Sequence, residues 1–475
     1  MQTQIHIGGR WQEARDGSKL PVSDPADDSV IAEVPACGEM ETLEAITAAE
    51  DAHALFASLP VRNRVEMLHA ISSGLEAHRE RLATLITREG GKPLHESRVE
   101  IDYSRSFFDQ AAEDILQVDT DESSPQGKRV KVRYLPVGTT ASIVAWNFPL
   151  ALLAKKFAPA LATGCTHVTK PADLTPLTTL AFAEIVQEAG VPDGVFNVVT
   201  GHPEAIGRTL MSDPRVRKMS FTGSTRVGRM LIEQSAANIT RLSLELGGHA
   251  PFLVFEDADL TKAVDMAMAA KFRNTGQTCI CPNRFLIHES RHDEFVSRLA
   301  EKAGSLISGR GTDPGVDLGP MINDAGVQKV MAHIEDAIEQ GGTLVSGGGH
   351  RSVGGLADRF LEPTVITGLN SSMRCWREET FGPMCPIRSF ETEEEAISLA
   401  NDSAYGLASY ACTQDEERIQ RLGGLLQTGI IGINDPGPAI ASVPVGGVKC
   451  SGYGREGGRW ALDAYLSTVM ISERD

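Results

Sequence analysis

The sequence predicts an α/β protein with a doubly wound parallel sheet, because strand-like and helix-like segments alternate regularly along much of the chain. From residue 140 onwards, short β-rich segments (140–145, 166–170, 195–199, 218–222 and 241–246) are separated by helical patterns and short turns. Repeated strand–helix–strand units with short connections are typical of parallel sheets. Such sheets bind ligands in the crevice at the carboxyl ends of their strands.

A second strand–helix series supports the same class. It begins near Pro251 and includes strand-like segments at 251–255 and 284–288. The Gly-rich stretch 341–355 is interpreted as turns and loop. We find no internal repeat that would indicate a solenoid or a propeller.

The region before both series is predicted to be mostly helical. Residues 40–59 and 61–90 carry apolar side chains at i, i+3, i+4 spacing. Residues 118–136 lack this period, and within them 128–134 alternates charged and apolar residues. This alternation predicts a strand, and the whole segment is interpreted as a projecting hairpin.

The composition is that of a globular enzyme. The 475 residues are 41% hydrophobic and 23% charged, and the formal net charge is −18. Without a basic stripe, nucleic acids and anionic membranes are not expected as partners. An anionic substrate would need local cations to enter its site.

The eight cysteines are scattered, and Cys279 and Cys281 lack a matching Cys/His pair nearby, so no metal site is expected. Reduced thiols indicate a cytoplasmic protein. The N-terminus shows no signal-peptide pattern. The most apolar stretch, 141–162, is interrupted by Lys155 and Lys156, which argues against a membrane span.

Three residues are candidates for chemistry. Cys279 lies in a Gly-containing polar loop, where a thiolate could form, although a free cysteine is as often a small buried apolar residue. Glu245 ends a strand before two glycines and is either a general base or a salt-bridged acid. Asn147 follows another strand end and either stabilises an oxyanion or caps a helix.

Two further strand ends favour a cofactor with phosphate groups. Lys170 ends one strand, and residues 221–224 end another and lead into a helix, whose N-terminus can bind an anion. The G-x-G-x-x-G dinucleotide motif is absent. These residues alone therefore support only an α/β enzyme that binds a phosphate-bearing cofactor.

Seven segments in order resemble the aldehyde dehydrogenase superfamily, specifically its succinate-semialdehyde branch, which includes 2-oxoglutarate-semialdehyde enzymes. The segments are PVGTTASIVAWNFP, GCTHVTKPADLTP, FTGSTRVG, LSLELGGHAP, FRNTGQTC, REETFGP and PVGGVKCSGYGREG. Together they span roughly 300 residues, and their order makes the resemblance specific.

The resemblance implies a three-part subunit that forms homodimers or homotetramers. A Rossmann-like NAD-binding domain would comprise residues 1–115 and 137–247, and an α/β catalytic domain residues 248–440. A small β oligomerisation hairpin would comprise 116–136 and 441–475. The resemblance also implies that the partner is a small aldehyde.

The resemblance assigns Cys279 as the nucleophile and Glu245 as the base that hydrolyses the thioester. Asn147 and the backbone N–H of Cys279 would form the oxyanion hole. Because a general base is present, we expect hydrolysis rather than acylation of coenzyme A. An acylating enzyme and a non-catalytic protein on the same fold are the alternatives.

The family pattern also implies the NAD-binding residues. Asp173 lies where an acid often binds the adenine ribose, and its charge would repel a 2′-phosphate, so NAD is expected and NADP is the alternative. The other implied cofactor-binding residues are Trp146, Lys170, Phe221, Gly223, Ser224, Leu246, Glu379 and Phe381.

The expected substrate is an anionic semialdehyde such as succinate semialdehyde, with 2-oxoglutarate, glutarate, sulfo- and phosphono-semialdehydes as alternatives. Arg273 and Lys155 match positions where this branch places cations, although Lys155 could instead be part of a basic pair on a helix surface. Ser442 is a third candidate, because Ala439 stands where a serine is usual. Cys281 could form a redox switch with Cys279 or be a packed thiol.

Overall fold

The computed structural model describes residues 1–118, 121–123 and 128–474, and it confirms the α/β class. The region before residue 137 contains short strands and, in its described part, four helices. These elements are β1 (Ile5–Ile7), β2 (Arg10–Gln12), β3 (Lys19–Ser23), β4 (Val30–Pro35), α1 (Glu39–Ser58), α2 (Val61–Ala77), α3 (Arg79–Gly90), α4 (Leu94–Ile115), β5 (Asp121–Ser123) and β6 (Arg129–Pro136).

Residues 139–245 alternate strands and helices, as the sequence predicts. Pro149 occupies the start of α5, where its missing N–H costs no hydrogen bond, and Gly164 ends that helix in a left-handed conformation with φ 92°. The elements are β7 (Thr139–Ile143), α5 (Pro149–Thr163), β8 (Thr166–Lys170), α6 (Pro176–Glu188), β9 (Phe196–Val198), α7 (Pro203–Ser212), β10 (Val216–Thr222), α8 (Thr225–Ser235) and β11 (Arg241–Glu245).

The order of these strands creates a crevice. Five parallel strands are neighbours in the order β11-β10-β7-β8-β9. The chain lays down β7, β8 and β9 in one direction and then returns to place β10 on the other side of β7. The carboxyl ends of β7 and β10 therefore flank the switch point, where such sheets bind ligands.

The second unit contains another mixed sheet. Its elements are β12 (Ala250–Val254), α9 (Leu260–Phe272), β13 (Pro282–His288), α10 (Glu289–Gly304), α11 (Asp324–Glu339), β14 (Thr343–Ser346), β15 (Thr364–Thr367), α12 (Arg374–Arg377), β16 (Met384–Phe390), α13 (Glu393–Asn401), β17 (Ala408–Cys412), α14 (Glu416–Leu425) and β18 (Ile430–Ile433).

The strands of this sheet have the order β14-β15-β16-β13-β12-β17-β18. All neighbours are parallel except β14, which pairs antiparallel with β15 at the edge. The interpretation of 341–355 as loop is thus wrong for Thr343–Ser346. Gly341 and Gly347, both with positive φ, flank this edge strand and mask it in the sequence.

The tail adds β19 (Gly452–Tyr453), α15 (Gly458–Asp463) and β20 (Leu466–Glu473). β20 pairs antiparallel with the whole of β6, and β5 pairs antiparallel with the other edge of β6. This three-stranded sheet contains the expected hairpin, of which 119–120 and 124–127 lie outside the described residues. β19 instead pairs with β11 of the first sheet, so the tail serves two sheets, and the domain boundaries stay a prediction.

The helical pattern over 61–90 belongs to two helices rather than one. The break falls at His78, which has φ −102° and ψ 14° and separates α2 from α3. The apolar period continues across this break because both helices bury the same side. Sequence periodicity therefore places the helices correctly but cannot show the bend.

Candidate active site

The loop between α9 and β13 carries Cys279 and has an uncommon backbone. Asn274, Thr275 and Gly276 follow one another with φ 49°, 56° and 75°. Residues with a side chain rarely adopt this left-handed region. At Gly276 a Cβ would lie 2.3 Å from the carbonyl oxygen of Gly382. The surroundings must therefore hold this loop in place.

Cys279 lies where two cavities meet. One cavity, of about 430 Å³, is bordered by residues of α4, α5 and α9. The other, a cleft of about 370 Å³, lies at the carboxyl ends of β7, β10 and β11. Cys279 lines both of them, so molecules bound in the two cavities would approach each other at its thiol.

The Asn147 side chain is tied to the same loop. Its Nδ2 donates to the backbone carbonyl oxygen of Gln277 at 3.0 Å. The backbone carbonyl oxygen of Asn147 accepts from Lys92 Nζ at 2.6 Å and from Asn274 Nδ2 at 3.2 Å. Asn147 is buried beside Cys279 at the border of the cleft. The structure thus brings the predicted amide and the predicted thiol together.

Glu245 lies in the same cleft as Cys279. The side chain is buried, yet its carboxylate has no hydrogen-bond partner among the described residues. Burial raises the pKa of Glu245 well above its usual value, and repulsion from Glu456 adds to the shift. Lys156 Nζ holds Glu456 at 2.7 Å. A carboxylate with a raised pKa is a stronger proton acceptor than an exposed glutamate.

Six of the predicted cofactor residues line the cleft. Two contacts fix the side chains among them. Glu379 Oε1 accepts the backbone N–H of Gly248 at 3.0 Å, and burial raises the pKa of Glu379 to about 7. The rings of Trp146 and Phe381 meet edge to face at 5.7 Å. The six residues are Trp146, Gly223, Ser224, Leu246, Glu379 and Phe381.

Three other predicted cofactor residues lie outside the lining of the cleft. Phe221 packs under the turn that follows β10, where a Cβ on Gly223 would come within 2.4 Å of its ring. Lys170 ends β8, next to β7, and its Nζ donates to Asp173 Oδ1 at 2.5 Å. Phe221 therefore shapes the turn from below, while Lys170 and Asp173 form a pair further along the same sheet edge.

Two predicted cations line the cavity on the other side of the thiol. Neither Lys155 nor Arg273 has an acidic partner within 4 Å among the described residues. The Arg273 guanidinium lies 5.4 Å from the ring of Phe148, and Lys155 Nζ lies 5.4 Å from the ring of Tyr103. Burial opposes the charge on Lys155, but the Tyr103 hydroxyl, followed by nearby acids and the Cys279 thiol, leaves its pKa raised.

The structure does not place Ser442 in this cavity. Its side chain is exposed, and the same segment borders the cavity through Gly437 and Ala439. The neighbouring Ala441 is buried and accepts the backbone N–H of Gly458, which turns the next side chain outwards. The assignment of Ser442 to the substrate is therefore not supported by the structure.

The surroundings of the Cys279 thiol raise its pKa and so favour the protonated form. Burial raises its pKa to about 11, and the acids Glu379 and Glu245 add to this shift. Lys155 and Arg273 act in the opposite direction. Lys155 and Arg273, which line the 430 Å³ cavity, are thus the groups that favour a thiolate at Cys279.

Cys281 lines neither cavity. Its thiol is fully buried and lies 3.4 Å from the carbonyl oxygen of Lys271. The proposed pairing with Cys279 stays a prediction. No group of three or more His, Cys, Asp or Glu side chains suited to a metal ion occurs in the described ranges. No helix in the described structure is long and apolar enough to cross a membrane.

The comparisons with known proteins agree with this geometry. The aldehyde dehydrogenase family model matches residues 11–471. The chain belongs to the aldehyde dehydrogenase family. It is therefore an oxidoreductase of the NAD(P)-dependent aldehyde dehydrogenase type.

Individual relatives cover almost the whole enzyme. A succinate-semialdehyde dehydrogenase [NADP(+)] of Escherichia coli is 44% identical over 98% of this chain and 96% of its own. A 3-sulfolactaldehyde dehydrogenase of Pseudomonas putida is 43% identical over 99% and 97%. A crystal structure of succinate-semialdehyde dehydrogenase from Burkholderia pseudomallei superimposes with a TM-score of 0.98 at 45% identity, over 100% and 98%.

Sequence analysis of this aldehyde dehydrogenase missed several residues around the site. Three of them, Lys92, Glu96 and Glu100, contact the thiol loop and the start of α5. The fourth, Tyr103, lines the cavity that contains Lys155 and Arg273. Their spacing of four, four and three residues places them on one face of α4 and the segment before it. That spacing was visible, but charged residues at such intervals usually indicate a solvent-exposed helix face.

Proposed function

We propose that this aldehyde dehydrogenase oxidises an anionic semialdehyde to the corresponding acid, with Cys279 as the nucleophile. The observation that carries the proposal is the pair of unpaired cations, Lys155 and Arg273, in the cavity that opens on the thiol. A carboxylate or sulfonate would supply the missing partner. The E. coli and P. putida relatives, named for acidic aldehydes, support the same substrate class.

The first step is attack of the Cys279 thiolate on the aldehyde carbon. The carbonyl π electrons move to oxygen, and the product is a tetrahedral alkoxide on the enzyme. The Asn147 amide and the backbone N–H of Cys279 are the donors proposed to stabilise this alkoxide. Asn147 Nδ2 carries two N–H groups: one donates to Gln277 O, and the other is available for the alkoxide.

The residues of the cleft suit a dinucleotide. Gly223 has no Cβ, which lets the turn pack directly on the Phe221 ring, and the N-terminus of the eleven-residue α8 follows at Thr225. Glu379 is placed to accept hydroxyl hydrogen bonds, and Trp146 offers an aromatic wall. When NAD(P)+ is bound, its nicotinamide accepts the hydride that leaves the substrate carbon.

Glu245 is proposed as the base for the second half of the reaction. Hydride loss leaves a thioester on Cys279, and water must attack it. The Glu245 carboxylate removes a proton from this water, and the Cys279 sulfur leaves as the carbon–sulfur bond breaks. The raised pKa of Glu245, which comes from burial, makes it a better base than an exposed glutamate.

NAD is the proposed preferred cofactor. The ammonium group of Lys170 is already paired with Asp173 at 2.5 Å, so a 2′-phosphate would have to compete with that carboxylate. The E. coli relative is named for NADP(+), so NADP is the alternative cofactor. A higher kcat/KM with NADP than with NAD would contradict the proposal.

The enzyme is proposed to be a homodimer or homotetramer and to be located in the cytoplasm. The three-stranded sheet exposes Leu135, Val469 and Met470, which are 40%, 40% and 66% exposed. Apolar side chains on such a sheet favour contact with a second copy. All eight cysteines are free, which fits a reducing compartment. Light scattering on the purified protein tests the oligomeric state, and a monomer would contradict it.

Steady-state kinetics test the proposed substrate class. The panel contains succinate, glutarate, 2-oxoglutarate, sulfo- and phosphono-semialdehydes, with propanal as the neutral reference. We expect at least one acidic aldehyde to exceed propanal in kcat/KM by about tenfold or more, because one charge-assisted contact contributes that much. Equal values for propanal and all acidic aldehydes would overturn the proposal.

A further inference from the structure

Three ionisable residues form a ladder beside the thiol loop. Lys92 precedes α4, and Glu96 and Glu100 follow it at four-residue spacing within the helix. Lys92 and Glu100 are buried, and Glu96 is partly buried at the border of the cavity that opens on the thiol. Lys92 is 1% exposed and Glu100 is 2% exposed. Ionised groups are rarely buried unless each has defined partners, so the partners indicate the role of the ladder.

The outer members bind the Asn147 side of the site. Lys92 Nζ donates to Glu100 Oε2 at 2.6 Å and to the carbonyl oxygen of Asn147 at 2.6 Å. Glu100 Oε1 accepts the backbone N–H groups of Leu150 and Ala151 at 3.0 and 3.2 Å. These N–H groups belong to the first turn of α5 and have no partner within the helix.

The central member binds the thiol side. Glu96 Oε2 accepts the backbone N–H of Asn274 at 2.8 Å, at the start of the left-handed run. The Asn274 side chain in turn donates to Asn147 O at 3.2 Å and to Gln277 O at 3.3 Å. Gln277 O also accepts Asn147 Nδ2. The loop of Cys279 and the loop of Asn147 are thus linked through Asn274, which Glu96 holds.

We propose that Glu96 is a positioning residue that fixes the strained thiol loop, and through it the distance between Cys279 and the Asn147 amide. This inference rests on the proposed roles of Cys279 and Asn147. This role requires an acceptor oxygen where Glu96 Oε2 meets the Asn274 N–H, and it does not require the negative charge of the carboxylate. Displacement of a catalytic group by about 1 Å costs on the order of a hundredfold in rate.

The test compares three substitutions of Glu96 in the full-length enzyme, with propanal as substrate. Glu96→Gln keeps an acceptor oxygen at the same reach, Glu96→Asp keeps the charge but is one methylene shorter, and Glu96→Ala removes both. Glu113→Ala, at an exposed position of the same helix, is the matched control. Propanal carries no charge, so the anion-binding proposal does not enter the result.

We expect Glu96→Gln and Glu113→Ala to keep kcat within about threefold of the parent enzyme. Glu96→Asp and Glu96→Ala should lower kcat by about tenfold to a hundredfold, with KM for NAD changed less than about threefold. A role in stability alone would lower the unfolding midpoint without this split between kcat and KM. Should Glu96→Ala not fold, the Asp and Gln variants decide the question.

Two results would overturn the inference: full kcat in Glu96→Asp, or a loss in Glu96→Gln as large as in Glu96→Asp. Cys279→Ser and Asn147→Ala, measured alongside, keep the two proposals apart. If either variant retains the parent kcat, the proposed catalytic roles fail. If both are inactive while Glu96→Asp is fully active, only the positioning role fails.

Discussion

The proposed nucleophile of this enzyme, Cys279, is a thiol whose surroundings favour its neutral form. With a pKa near 11, Cys279 would carry a thiolate in only about one molecule in ten thousand at pH 7. Lys155 and Arg273 are the neighbouring groups that lower the cost of the charge. The reaction therefore depends on cations that the substrate also uses.

Alkylation of Cys279 by iodoacetamide in the cofactor-free enzyme tests this state. Only the thiolate reacts, so the rate should rise about tenfold per pH unit between pH 7 and 10, below the pKa. Peptide mass spectrometry separates Cys279 from Cys450, the other partly exposed thiol. A rate that levels off near pH 8 would show that the thiol has an ordinary or lowered pKa.

Glu245→Gln isolates the second half of the reaction. Without a base the thioester accumulates, so we expect a burst of reduced cofactor close to one per active site, followed by turnover about a hundredfold slower or more. Rapid-mixing absorbance measures both phases, and exposed Glu204→Gln is the control. A variant with neither burst nor turnover would place Glu245 before hydride transfer.

The same residue predicts the acid side of the pH profile. Burial first, and Glu456 second, raise the pKa of Glu245, so the carboxylate is lost as the pH falls through a value above the usual range for glutamate. In the parent enzyme kcat should therefore begin to fall at a higher pH than that range. The Glu245→Gln variant should lack this limb.

At the scale of elements, the sequence revealed the strands and the loops after them better than the bends and turns. The strand ends at Glu245 and Thr222, and the loop that carries Asn147 after β7, were predicted from β-rich runs followed by Gly or Pro. The break at His78 was not, because the apolar period crosses it. The exposed position of Ser442 was not predictable either, because side-chain direction in an irregular loop depends on contacts such as Gly458 N–H with Ala441 O.

The role of Glu96 was also beyond sequence reasoning. A charged residue at helical spacing is usually solvated, and only the fold brings Asn274, 178 residues away, to its carboxylate. The residues proposed for catalysis lie in sequence motifs of their own, whereas a residue that acts on another loop has no such motif. The missing information is long-range contact, which a single sequence does not contain.

The left-handed run before Cys279 gives a prediction at this scale. Gly276→Ala places a Cβ 2.3 Å from Gly382 O at φ 75°, whereas Gly190→Ala has φ 74° but open space around the new Cβ. Both should be strained, and the clash should add to the loss only at Gly276. We expect Gly276→Ala to cost about 1–3 kcal/mol of stability and most of kcat.

Thermal unfolding and propanal turnover, measured on both variants, check this prediction. Gly190→Ala should lose at most about 1 kcal/mol and keep its activity, because only backbone strain is added there. Equal losses at the two positions would show that the close approach of Gly276 to Gly382 contributes nothing to stability or kcat beyond the backbone strain.

For the whole molecule, the negative net charge of the protein should repel the proposed substrate. The chain carries a net charge of −18, yet the proposed substrate is an anion. Two cations at the thiol give local attraction against this background, and the acids that neighbour them, Glu96 and Glu100, are engaged with Asn274 and Lys92. Because Glu96, Glu100 and Asp317 line the same cavity, the attraction comes from the two unpaired cations and not from a net positive charge of the cavity.

The most direct test of this account is the ratio of kcat/KM for succinate semialdehyde to that for butanal, in the parent enzyme and in Arg273→Ala. The two aldehydes have the same four-carbon length and differ in the terminal acid. We predict that Arg273→Ala lowers this ratio by about tenfold to a hundredfold, through KM for the acid, while the surface control Arg298→Ala leaves it unchanged. An equal loss for both aldehydes would contradict the account.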